Sequence, residues 1–211
     1  MKTAICILVA AGLGFGFAAP LQKRVTKEAP KFEDLHAALA TQWEAKSFGS
    51  CTETLQGIQS LVAKERRKAI LAALPTPAGW TIKDDDSMEQ AENNPYAAAM
   101  MASVGTVVKR DYRMEEGKGR MEVTITADSP MVSMFNLWIA NPQMLEKGSE
   151  LIEYGEHKAV LKPSGGDGRN LMILLEGKHI CEVDARSTTE DQLFAVFDQK
   201  AVDALAAVLK K

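Results

Sequence analysis

The chain changes character at one proline-rich stretch, Leu74-Pro75-Thr76-Pro77-Ala78-Gly79-Trp80. Two prolines so close together cannot continue a helix, and each pushes the residue before it towards an extended backbone. Gly79 frees the backbone immediately before a large aromatic side chain. We therefore predict a hinge-like joint, with Trp80 packed between a helical part and a sheet part. The alternative is an ordinary loop that carries a core tryptophan.

The residues before this joint predict two helices. The first has an apolar side at helical spacing, formed by Phe32, Leu35, Leu39 and Trp43. Ser50 and Glu53 have the spacing of a capping box, which predicts the start of the second helix. Its expected apolar stripe is Cys51, Leu55, Ile58, Val62, Ala69 and Ala73. The short connection makes the two helices antiparallel neighbours, an αα-hairpin.

Part of this hairpin resembles one helical pair of a tetratricopeptide repeat. Trp43, Phe48-Gly49 and Leu55 carry the resemblance, which covers residues 32–74 only. The Gly-x-x-Tyr arrangement of that repeat is absent, and no second copy follows in the sequence. Because one helical pair cannot bury its apolar side alone, we predict that the hairpin packs on the sheet.

Beyond the joint the pattern is mostly that of antiparallel strands. Residues 81–101 predict an acidic loop without the ligand spacing of a calcium loop. From residue 105 the period is two, which predicts a strand hairpin, and a helix is expected over 130–140. A four-strand meander and terminal helices follow, the helices starting at a second capping-box spacing, Ser187 to Glu190. The predicted fold class is α+β, a largely antiparallel sheet with helices on its faces, preceded by the αα-hairpin.

The first residues predict export. A charge-free apolar run follows Lys2, and Gly16 and Ala18 offer the small side chains that signal peptidase reads. We interpret residues 1–18 as a signal peptide, 19–74 as a lead-in and helical hairpin, and 75–211 as the sheet domain. The expected location is periplasmic or secreted, with no stable membrane span after cleavage. The alternative is an uncleaved membrane anchor.

Removal of the signal peptide leaves two cysteines, Cys51 and Cys181. A disulfide between them is chemically allowed in an exported chain. The alternative is that each is a small buried hydrophobic residue.

The sequence predicts a chain that is not an enzyme. Its net charge is −3 and it has no basic stripe, so nucleic acid is not an expected partner. None of His36, His157 and His179 has metal-ligand spacing, and no motif of a hydrolase, a zinc protease or a nucleotide-binding loop occurs. We therefore expect no metal and no other cofactor.

The helix expected over residues 130–140 is the strongest candidate for function. Its broad apolar side is formed by Met131, Met134, Phe135, Trp138 and Ile139. A helix that is apolar nearly all round is either buried on several sides or offers a surface to a partner or lipid. Two functions are therefore considered: an exported, non-enzymatic binding or scaffold module for an unknown partner, and a carrier of a small hydrophobic ligand or lipid.

Two short segments carry a wider resemblance. Leu74-Pro75 to Trp80 and Ala127-Asp128-Ser129-Pro130-Met131 are similar to segments of an uncharacterised group of exported bacterial proteins. The sheet part resembles the PsbP/Mog1-type fold, and the likeness extends loosely over residues 32–209. It implies an α+β domain behind a helical hairpin, and no activity.

Overall fold

The computed structural model describes residues 30–87, 106–128 and 131–210. The helices are α1 (Phe32–Glu44), α2 (Phe48–Ala73), α3 (Val132–Ala140), α4 (Glu190–Val196) and α5 (Gln199–Leu209), with a 3-10 turn at Pro142–Met144. The strands are β1 (Trp80–Asp84), β2 (Thr106–Met114), β3 (Arg120–Ala127), β4 (Glu150–Tyr154), β5 (His157–Pro163), β6 (Arg169–Leu175) and β7 (His179–Arg186). The predicted signal peptide and Pro130, the first residue of the helix expected over 130–140, lie outside the described residues.

The strands form one antiparallel sheet in the order β1-β2-β3-β7-β6-β5-β4. The β2–β3 hairpin and the β4-to-β7 meander follow the predicted pattern, and β7 joins them by pairing with β3, where Ile125 lies opposite Cys181. The α+β prediction, with an αα-hairpin before a largely antiparallel sheet, is therefore confirmed.

One side of the sheet forms the main core. Alternate residues of β3 show the pattern, because four of them are fully buried on this side: Met121, Val123, Ile125 and Ala127. The end of α2, α4 and α5 cover it, with Ile70, Leu193 and Leu205 as buried members of the same cluster. The opposite side of the sheet is partly covered by α3, so helices lie on both faces as predicted.

The joint between α2 and β1 is anchored rather than hinge-like. Leu74 caps α2 and is buried, and its carbonyl accepts a hydrogen bond from Arg110 Nη1 at 3.4 Å. The Tyr112 hydroxyl donates to the Pro75 carbonyl at 2.9 Å. Gly79 adopts φ +78°, a conformation that suits glycine. Trp80 then opens β1 half-buried against the core that the end of α2 shares with the sheet, as predicted.

The hairpin differs from its prediction. α2 begins at Phe48, so Ser50 lies inside the helix and the predicted capping box does not start it. Of the predicted stripe, Cys51 is buried, whereas Leu55 and Val62 are exposed. The hairpin packs on the sheet as predicted, but through α2, which contacts β2 and α5; α1 packs along α2 and buries none of its own residues. Only the end of α2 joins the main core.

Two other local predictions are wrong. Residues 80–84 form β1, paired with β2, so the acidic loop expected over residues 81–101 is contradicted at 81–84, while its residues 88–101 lie outside the described residues. The capping box of α4 is made by Thr189 and Gln192, two residues after the predicted Ser187 and Glu190. At residue 81 the pairing of β1 with β2 outweighed the local composition. At α4 both spacings fit a capping box, but Ser187 has φ +50°, whereas the N-cap Thr189 has the extended backbone that an N-cap residue typically adopts.

Candidate functional site

α3 is attached to the sheet through Phe135. This side chain is 1% exposed and packs with Val160, Met172 and Ile180 from the strands beneath it. Val132 and Ile139, three residues before and four after, are half-buried on the same side. This spacing turns one stripe of the helix towards the sheet and leaves the adjoining side towards solvent.

The solvent side of α3 carries large apolar side chains. Exposed large apolar side chains occur on α3, at its N-terminal cap and in the 3-10 turn after it: Met131 (48%), Met134 (41%), Leu137 (46%) and Met144 (55%). We call these four residues the methionine surface. The five residues that the sequence singled out are therefore divided, because Met131 and Met134 are exposed, Trp138 and Ile139 are half-buried, and Phe135 is core.

Leu137 and Met144 were missed as candidate site residues. The sequence could have shown which side of α3 is buried, because Val132, Phe135 and Ile139 follow the 3–4 spacing of a buried stripe. Leu137 and Met134 fall outside this stripe. Hydrophobicity alone could not separate the two sides, because both are apolar.

A polar cluster, separate from the methionine surface, joins α2 to the sheet at His179. The Asp128 backbone N–H donates to His179 Nδ1 at 2.9 Å, and Arg66 Nη1 donates to Asp128 Oδ2 at 2.5 Å. His179 Nδ1 also lies 3.8 Å from Asp128 Oδ1. A histidine beside a carboxylate is half of a hydrolytic site, but this ring is fully buried and no substrate can reach it. The cluster is therefore structural.

His179 gives stability a pH dependence. Burial lowers the pKa of His179 below its ordinary 6.5, with Arg66 and Lys178 acting in the same direction and Asp128 opposing them. His179 therefore binds a proton more readily in the unfolded chain than in the folded chain. The free energy of unfolding should fall as the pH drops from about 6.5 through the lowered pKa. Urea denaturation across this range measures the slope. Arg66 also lowers the pKa of Asp128 below its ordinary 3.8. The stability that Asp128 contributes is therefore lost only below about pH 3.8, outside the range in which His179 acts.

The control for this expectation is His179→Gln. The variant loses packing at every pH, but the part of the slope that arises between neutral pH and the lowered pKa should disappear. An unchanged slope would show that other groups cause it.

The two cysteines are free and buried. Cys181 belongs to the main core together with Ile70, whereas Cys51 lies nineteen residues before Ile70 on the same helix. That separation is about 28 Å along the helix axis, while a disulfide needs Cα atoms within about 7 Å. Burial raises the pKa of the Cys181 thiol to about 12, so it is unreactive. The structure therefore favours the alternative of two buried hydrophobic residues over a bridge.

A cavity of about 500 Å³ lies where the β5–β6 turn meets the start of α4. Its lining residues are polar or charged and include Asp167, Thr188 and an ion pair of Arg169 with Glu190 at 2.7 Å. Arg169 and Glu190 neutralise each other, and Asp167 adds a second negative charge to the lining. The Thr188 hydroxyl donates to the Arg186 carbonyl at 3.0 Å. In the described parts of the chain, no three His, Cys, Asp or Glu residues group in a way that could hold a metal ion.

No helix in the described ranges is long and apolar enough to cross a membrane. Comparison of the chain with protein families, curated proteins and solved structures found no match. The resemblance to the PsbP/Mog1-type fold and to exported bacterial proteins therefore stays a prediction.

Proposed function

We propose that the chain is an exported, non-enzymatic binding module and that a protein partner docks on the methionine surface. The observation that carries this proposal is the division of α3, which Phe135 fixes to the sheet while Met131, Met134 and Leu137 remain exposed. Unbranched, polarizable methionine side chains can adapt to apolar groups of different shapes, which suits a docking surface.

The charge pattern supports a protein partner. No Asp, Glu, Lys or Arg occurs between Asp128 and Glu146, although a quarter of the whole chain is charged. Depletion of charge with enrichment of methionine is typical of the centre of a protein interface. The exported location rests on the apolar run after Lys2, and the non-enzymatic role on the sequence, in which no catalytic motif occurs.

A carrier of a small hydrophobic ligand or lipid is the less favoured function. Such a carrier needs space between α3 and the sheet. That space is filled by Phe135 together with Val160, Met172 and Ile180. The apolar groups that remain available face outwards, which favours docking of a partner over enclosure of a ligand.

The test is capture of the partner from the exported fraction of the native cells. Met134→Glu places a charge at the centre of the methionine surface and should lower recovery of the specific partner about tenfold or more. The thermal midpoint of the Met134→Glu variant should stay nearly unchanged, because Met134 is 41% exposed. Asn136→Glu is the matched control, since it adds the same charge to an exposed position on another side of the same helix.

Three results would contradict the proposal. One is a captured protein that binds Met134→Glu and Asn136→Glu equally well. Another is recovery of the chain from the cytoplasmic fraction alone with Met1 intact. The third is a bound lipid that disappears when Phe135 is changed, which would support the carrier.

A further inference from the structure

The first half of α2 carries an exposed apolar row. Phe48, Leu55 and Val62 are 59%, 46% and 55% exposed and lie seven residues apart. Seven residues are nearly two helical turns, so the three side chains follow one line along the helix, about 21 Å long. Cys51 and Ile58, which are less exposed, lie on the adjoining side.

Two aromatic residues of α1 extend this row across the hairpin. Phe32 and Trp43 are eleven residues apart, which is close to three turns, and therefore lie on one side of α1. Trp43 meets Phe48 edge to face, with ring centroids 5.8 Å apart. A side chain at Gly57 would contact Leu35 at 3.5 Å, which sets Phe32 near the level of Val62.

The five exposed side chains thus share one side of the hairpin. We call Phe32, Trp43, Phe48, Leu55 and Val62 the hairpin surface. It lies away from the part of α2 that enters the main core, because the core members of α2 are Ile70 and Leu74. This surface is also separate from the methionine surface.

The charge pattern marks the same part of the hairpin. From Phe48 to Ala63 the only charged residue is Glu53, whereas residues 64–68 are all charged. From Leu35 to Trp43 no Asp, Glu, Lys or Arg occurs. The exposed positions beside the row on α2 are Thr52, Gln56 and Gln59. A helix that binds a membrane surface has Lys and Arg beside its apolar side, and this helix has uncharged side chains there.

We propose that the hairpin surface binds the same surface of a second copy of the chain, giving an antiparallel four-helix bundle. The row is self-complementary, because a two-fold axis at Leu55 places Phe48 of one copy against Val62 of the other. Such isologous pairing is the commonest arrangement of soluble oligomers, and two short-looped hairpins form a bundle in this way. A lone helical pair is otherwise left with its apolar side in water.

The size of the surface fits this occupant. Two helices about 10 Å wide and 21 Å long present about 420 Å² in projection per copy. Because side chains protrude from the helices, the accessible area is larger than the projected area. The area buried on both copies together therefore approaches the roughly 1,000 Å² that a specific interface needs.

The oligomeric state of the full chain, as isolated from the cell, tests the proposal by sedimentation. The wild-type chain should be a dimer at micromolar concentration. Leu55→Glu brings two unpaired carboxylates to the two-fold axis and should weaken the dimer about 100-fold or more. Ser60→Glu is the control, because it adds the same charge to an exposed position about 140° around α2, and should remain dimeric. Circular dichroism of both variants checks that the helices are retained.

A cross-link tests the geometry. Leu55→Cys should form an intermolecular disulfide with its copy under mild oxidation, while Ser60→Cys should not, and the native Cys51 and Cys181 are buried and interfere little. A wild-type chain that is monomeric at about 100 µM would overturn the proposal. A dimer that survives Leu55→Glu would also overturn it, and so would a monomer that floats with lipid vesicles in a Leu55-dependent manner.

Discussion

Tyr112→Ala is expected to lower the free energy of unfolding by about 4 kcal/mol. The ring is fully buried and meets Phe197 edge to face, with centroids 6.1 Å apart. Its removal leaves a cavity in the main core and deprives the Pro75 carbonyl of the hydroxyl that donates to it. The loss therefore combines core packing with the bond that anchors the joint between α2 and β1. Urea denaturation, followed by the fluorescence of Trp80 and the other tryptophans, measures it.

Tyr112→Phe separates the two contributions. It keeps the ring and removes only the hydrogen bond, which should cost about 1 kcal/mol. Burial raises the pKa of Tyr112 to about 12, so the hydroxyl keeps its proton and can donate throughout the neutral range. A cost below about 0.5 kcal/mol for both variants would show that the joint is not anchored at this position.

Phe135→Ala is expected to cost about 3–5 kcal/mol. The side chain is the most buried member of α3 and fills the space among Val160, Met172 and Ile180. With it removed, α3 has only half-buried contacts to hold it against the sheet. Denaturation with a helix-sensitive signal should show either one earlier transition or separate loss of α3.

The matched control for Phe135→Ala is Met134→Ala. The two residues are adjacent on α3, but Met134 is exposed, so its truncation should change stability by less than about 1 kcal/mol. Equal losses for the two variants would mean that the methionine surface is covered by the fold, and would remove the basis of the proposed docking site.

Strands β2 to β7 could be predicted from the sequence, whereas β1 was missed. A half-buried strand shows apolar and polar residues in alternation. In β3 the alternation of Met121, Val123 and Ile125 with polar residues specifies both the period and the buried side. In β6 the apolar run is uninterrupted, and Leu171, Met172 and Ile173 are buried in succession. In these strands the spacing of the apolar residues has a single structural explanation, which is burial in the sheet.

The helices were harder to interpret because spacing shows which residues share a side, not what covers that side. Leu55 and Val62 have the same spacing as core residues, yet both are exposed. On α3, Phe135 and Met134 are equally apolar, and only the position of the helix over β5, β6 and β7 makes one core and the other surface. The capping box expected at Ser50 failed for a related reason, since its two residues also suit the interior of a helix that begins earlier.

The central place of β7 determines when the sheet can be completed. This strand is synthesised after β1 to β6, yet it pairs with β3 on one side and β6 on the other. Until it arrives, the two earlier strand groups each have an open edge, which is prone to pair with other chains. Ile125 meets a residue 56 positions later in the chain, so closing the sheet requires a long loop and is slow. A nascent chain therefore cannot complete the sheet until residues 179–186 have been synthesised.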